Sequence, residues 1–259
     1  MKALKFALIV PVAIVVFAIS CKKDSGSNNN NAQVTTDVAA DMAASAVSSN
    51  SFGFVNIADN MGANAQVTSL GASQATNSIS TNAVRQACGT TVADSSSVSG
   101  TNNSVTFNAF YKFTRTLNCN NVGPDNVVTS IVFHGSYDGP RITSSDSGNA
   151  SVTIGGLSAA ATNFVINGTY NRKGSFTSKV GNKASGSSQV NITVSNLILT
   201  KPLRSITAGT ATITISGTTA SGTFNFSGTL VFNGNNQATL TVGTTVYIIN
   251  TLTGTYTKK

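Results

Sequence analysis

The sequence predicts a mainly β protein: a large antiparallel meander, forming a sandwich or a partly open barrel, with one N-terminal helix packed on it. Three observations predict it. Apolar residues alternate with Thr, Ser and Asn over most of the chain beyond residue 105, the period-2 pattern of strands that bury one face. Turn residues such as Asp138-Gly139-Pro140, Gly155-Gly156, Lys201-Pro202 and Asn233-Gly-Asn-Asn236 punctuate these stretches at short intervals. No connection between strands is long enough to hold a crossover helix, so neighbouring strands run antiparallel.

The chain opens with an address. Met1-Lys-Ala-Leu-Lys5 is a short positive region, and Phe6 to Ile19 is apolar but shorter than the ~20 residues that span a bilayer. Residues 1–20 therefore read as a secretory signal. Its end, Ala18-Ile19-Ser20-Cys21, resembles the lipobox of bacterial lipoproteins, and Cys21-Lys22-Lys23-Asp24 resembles the tethers of Bacteroidota outer-membrane lipoproteins. The resemblance implies that Cys21 is the acylated first residue of the mature protein, held in a membrane by its lipid chains. Lys22, where an Asp would signal retention, implies the outer membrane; the face it occupies stays open. The Ser/Asn-rich stretch to residue 33 is a flexible tether, and residues 34–259 form one domain.

From Val34 to Ser49 lies the one good helical pattern. Val38, Met42 and Ala46, with Ala39 and Ala43, share a face, Thr35 or Thr36 stands ready to cap, and Asp37 suits the positive end of the helix. Core packing is expected, because a membrane-surface helix would carry Lys or Arg on its polar side. Residues 50–103 are rich in Ser, Asn, Ala and Gly and read as loops with a further helix or hairpin.

The β region follows. Val105, Phe107, Ala109, Tyr111, Phe113, Leu117 and Cys119 alternate with polar residues, and Asn126 to Tyr137 has apolar residues on both faces. Further strands are expected at about 151–157, 162–171, 174–181, 188–200, 206–216, 222–233, 237–243 and 245–256. Recurrent Gly-Thr pairs are irregularly spaced, which is turn grammar and not a repeat.

With Cys21 acylated, Cys88 and Cys119 remain, and in an exported protein a disulfide between them is the default. Closing a loop of that length contributes about 3.5–4 kcal/mol on the chain-entropy estimate.

Composition excludes more than it assigns. All eight acids are Asp, there is one His, and Trp is absent, so general acid–base chemistry has little to assemble. His134 has no Ser, Cys or Asp at motif spacing and reads as structural. Asp125, Asp138 and Asp146 form no Asp-x-Asp cluster and read as solvated turn residues, not a Ca2+ site. No catalytic, metal or cofactor residue is assigned. Of sixteen Lys and Arg, Lys2 and Lys5 leave with the signal, so fourteen face eight Asp, a net +6. They are dispersed: Arg172-Lys173 with Lys179 and Lys183 reads as a solvated hairpin end, and no nucleic-acid partner is expected.

Glycan binding lacks aromatic platforms. An ice-binding reading of Thr210-x-Thr212-x-Thr214 needs a flat, regular Thr array, against which the irregular turns argue. Two classes remain. One is a non-catalytic, lipid-anchored envelope protein with a binding, adhesive or structural role and an envelope protein as partner. The other is a carrier of an apolar ligand in a half-barrel whose cavity would be lined by Phe107, Phe113, Phe164, Phe176, Phe224, Phe226 and Phe232.

Overall fold

In β6 (Ser185–Thr200), Val190, Ile192 and Val194 are buried, whereas Gln189 and Thr193 face solvent. The same alternation shapes the long strands beyond residue 105 of a computed structural model, which describes residues 33–70, 86–102 and 105–259. The signal, Cys21 and the tether to residue 32 lie outside the described residues, as does the 71–85 part of the region read as loops.

Among the described residues, eleven strands form one antiparallel sheet in sequence order, β1 to β11, each paired with its neighbours in the chain. They are β1 (Thr91–Asn102), β2 (Val105–Asn120), β3 (Gly123–Asp138), β4 (Ile142–Gly155), β5 (Asn163–Ser178), then β6, β7 (Ile206–Thr219), β8 (Gly222–Gly234), β9 (Gln237–Val242), β10 (Thr245–Asn250) and β11 (Tyr256–Lys258). β1 and β11 are the two edges; they do not pair, and the sheet is open.

The inward face is filled by two helices. α1 (Thr36–Val47) packs on β6, β7, β9 and β10, and α2 (Phe54–Leu70) on β3, β4 and β5. α1 starts where its sequence says it should, with Thr35 Oγ1 accepting from the Val38 amide at 3.3 Å. It is buried almost all round, and Ala39, Ala40, Ala43, Ala44 and Ala46 keep it thin enough to sit against strands on several sides. The turn to α2 puts Phe52 in the left-handed region at φ 56°. Gly53 follows because a Cβ there would lie 2.4 Å from the Ala46 carbonyl oxygen.

In the region 50–103 the further helix is α2, 17 residues long, and the 12-residue β1 makes a hairpin with β2. Two expectations need correction. β5 runs unbroken through Lys173-Gly174, read from sequence as a turn; Gly174 pairs with Asp146, and a Cβ on it would fall 2.0 Å from the Ser145 carbonyl oxygen. The glycine permits close strand approach within a ladder, and does not end one. Conversely, 245–256 is two strands, separated where the Asn250 carboxamide oxygen accepts from the Leu252 and Thr253 amides at 3.0 Å each.

Cys88 and Cys119 are joined, with Cα atoms 5.6 Å apart, pinning the segment before β1 to the end of β2. The seven phenylalanines that the carrier reading would set around a cavity pack in or against the core. Phe113, Phe164, Phe176 and Phe232 are buried, and Phe107, Phe224 and Phe226 pack against the same cluster. Phe107 meets Phe52 at 4.4 Å between centroids, and Phe176 meets Phe224 edge-on at 5.9 Å.

Candidate functional site

Three features carry the chemistry of the described residues: an ion pair in the core, a cavity at one end of the sheet, and the outer face.

Arg172, read from sequence as part of a solvated loop tip, is buried on the inward face of β5. Its Nη2 lies 2.7 Å from Asp146 Oδ2 on β4, and also donates to Ser144 Oγ at 2.7 Å. Nη1 donates to the Ser45 carbonyl oxygen at 3.1 Å, placing a cation against the last turn of α1, where the helix dipole favours it. Burial opposes the guanidinium's charge, but Asp146 and Tyr170 outweigh it and hold the pKa above its ordinary value. Asp146 is correspondingly no solvated turn residue. Asp125 and Asp138 are exposed, as expected. Of the neighbours of Arg172 in the basic set, Lys173 and Lys183 are exposed, and Lys179 pairs with Asp138.

The end cavity, of about 170 Å3, lies between α1, the β3–β4 hairpin and the β10–β11 turn. Val105, Tyr137, Pro140 and Ile142 form apolar wall, and Asp41 and Arg141 a polar one. Arg141 Nε donates to Asp41 Oδ1 at 2.6 Å and Nη2 to the Tyr256 hydroxyl at 2.8 Å, its guanidinium 4.9 Å from the Tyr256 ring centroid. Burial pushes the Asp41 carboxyl above the usual carboxylate range despite Arg141 beside it. Burial raises the Tyr137 and Tyr256 hydroxyls as well. A cation and an anion in contact give this cavity a dipole and no net charge. None of the seven phenylalanines borders it.

The outer face is polar, and its rows are regular. The ladder aligns Thr114, Ser130, Ser151, Thr169, Thr193, Thr212, Thr229 and Thr241 in one line across eight neighbouring strands. A parallel line joins Asn108, Ser136, Ser145, Ser175, Ser187, Thr218 and Thr223. Irregular turns do not prevent this, because turn length changes where a strand ends and not which residues oppose each other. Side chains bond across strands: Asn108 to Ser136 at 2.9 Å, Asn191 to Thr214 at 3.1 Å, Asn233 to Thr239 at 2.8 Å.

His134 stands on this face, exposed, its ring 5.1 Å from that of Phe110 at an interplanar angle of 30°. Between Ser147, Lys173, Gln189 and Ser216 the face sinks into an open depression of about 470 Å3. Among the described residues, no group of three His, Cys or Asp could hold a metal ion, and no helix is long and apolar enough to cross a membrane.

Sequence reasoning missed Arg172 and the outer rows. The signal for Arg172 was parity: it shares it with Phe164, Ile166, Tyr170 and Phe176, all buried. For the rows there was none, since register is not written in one strand. No protein-family model matches the chain, and neither a curated protein nor a solved structure is significantly similar to it.

Proposed function

We propose that the chain is a lipid-anchored protein of the bacterial outer membrane that works by binding a partner, without catalysis. The observation that carries the binding role is the division of the sheet's two faces. The inward face is occupied by α1 and α2, and the outward face is a broad array rich in hydroxyl and amide groups and sparse in charge, with no element of the described chain over it. The lipobox and the Lys-Lys-Asp tether support the anchor: at ~0.8 kcal/mol per buried CH2, several acyl chains hold a domain stably on a membrane. An interior filled by helices weighs against the half-barrel carrier.

Cys21→Ser tests the anchor. The native chain, expressed in a Gram-negative host fed an alkyne-labelled palmitate, is expected to carry the label and to fractionate with the outer membrane, and the variant to do neither. A native chain without label, or a variant that stays in the membrane, overturns the anchor. Native mass spectrometry of the purified protein separates binder from carrier: an apolar adduct lost on denaturation would favour the carrier.

A further inference from the structure

We propose that the outer face of the sheet holds a groove for an uncharged polysaccharide, laid across the strands along the line Phe110, His134, Ser147, Lys173, Gln189 and Ser216. The proposal rests on the binding role above and names the partner's chemistry.

The ladder sets these six residues opposite one another on β2 to β7. At neighbouring-strand spacing the line is about 24 Å long, room for a short run of sugar rings. One end is the Phe110–His134 ring pair, His134 exposed and Phe110 half-buried, an aromatic surface made by the register of two strands where the composition, without Trp, offered no platform. The other is the depression, bordered on the outer face by Ser147, Lys173, Ser187, Gln189 and Ser216. A sugar polymer presents apolar C–H faces and rims of hydroxyls that donate and accept. The line offers aromatic faces for the first, and for the second Ser147, Gln189 and Ser216, which also do both, with the Lys173 ammonium as a further donor.

Charge selects this partner over others. Four adjacent lines cross the face: this one, the two hydroxyl-rich lines, and Lys112, Val132, Asn149, Asn171, Asn191, Thr214 and Ser227 between them. Their only charged residues are Lys112 and Lys173, in keeping with a chain that is only 9% charged. An anionic polymer would call for a basic stripe. An ice lattice would call for a plane, and adjacent strands rotate by about 20–25°; a polymer can turn with them.

The test is native-gel affinity electrophoresis of the full chain in detergent, with soluble xylan, mixed-linkage β-glucan, galactomannan or starch in the gel and alginate as the anionic control. At least one neutral polysaccharide is expected to retard the protein. Phe110→Ala and Gln189→Ala should each weaken that retention at least tenfold, and Thr253→Ala, at the end cavity, should leave it unchanged. Gln189 is exposed on the outer face, so its variant keeps the test valid should Phe110→Ala fold poorly. Retention by alginate alone, by no gel, or unaffected by Gln189→Ala overturns the proposal. If no gel retards the chain but a photo-crosslinker at Ser175 still joins it in cells to an envelope protein, the polysaccharide fails and the binding role stands. If neither occurs, both fail.

Discussion

Arg172 and Asp146 meet at 2.7 Å on neighbouring strands, each side chain less than a tenth exposed, with the Ser45 carbonyl of α1 on the guanidinium's other arm. The pair therefore ties the helix to the sheet as well as strand to strand.

Breaking it from one side is expected to be severe. Arg172→Leu leaves the Asp146 carboxylate buried without its cation, at a cost of about 3–5 kcal/mol. The double variant with Asp146→Asn removes that stranded charge and should recover a large part of the loss. Urea unfolding of the three proteins checks this; equal losses in single and double variants would show that packing, and not charge, dominates.

Alkali should act through the tyrosines. All five, Tyr111, Tyr137, Tyr170, Tyr247 and Tyr256, have pKa values raised chiefly by burial, Tyr170 to about 12. A folded-state pKa above the unfolded value contributes stability that is complete below pH ~10 and lost as pH climbs toward the folded value. Tyrosinate absorbance should stay low through pH 10 and rise together with loss of circular dichroism between about pH 10 and 12. A gradual rise near pH 10 in protein that remains folded would contradict it.

The disulfide closes a loop with a sequence separation of 31. Replacing Cys88 and Cys119 by Ser should cost about 3.5–4 kcal/mol on the chain-entropy estimate, read as a lower urea midpoint. The native chain with reductant should move to the same midpoint.

Gly174→Ala places a Cβ where the Ser145 carbonyl oxygen stands, 2.0 Å away. Forcing β4 and β5 apart beside Asp146 should cost about 1–3 kcal/mol. Gly155→Ala is the control, since nothing lies within 4 Å of its Cβ position and its backbone is not in the left-handed region.

Much of the fold was legible because period-2 patterning is local. From Val105 onward, residues such as Ile213, Ile215, Leu230, Phe232 and Leu240 lie inward as their spacing says. What was illegible depended on partners. β1 buries neither face well, so Thr91–Asn102 shows no apolar alternation and is a strand because β2 pairs with it. α2 carries Gly62, three Asn and no acidic residue in its first turn; it is helical because Phe54, Ile57, Ala58 and Met61 find the sheet. Lys173-Gly174 looks like a turn by residue type, and only the close approach of Ser145 says otherwise. The end cavity joins Asp41 to Arg141, a hundred residues apart, and the outer lines require the register of eight strands at once.

Strand order has a kinetic side. Each strand pairs with one already adjacent in the chain, so the ladder closes only short loops as it grows. The helices do the opposite: the Arg172–Ser45 contact spans 127 residues and the Tyr247–Asp37 hydrogen bond 210. α1 is made before every strand, yet its bonds to Tyr247, Tyr256 and Lys258 wait for the last two. A nascent chain therefore exposes the apolar surface of α1 until almost the whole protein has emerged. A chain cut before Thr245 would keep most of its ladder and still leave that helix without β10, a surface for chaperones or proteases to find.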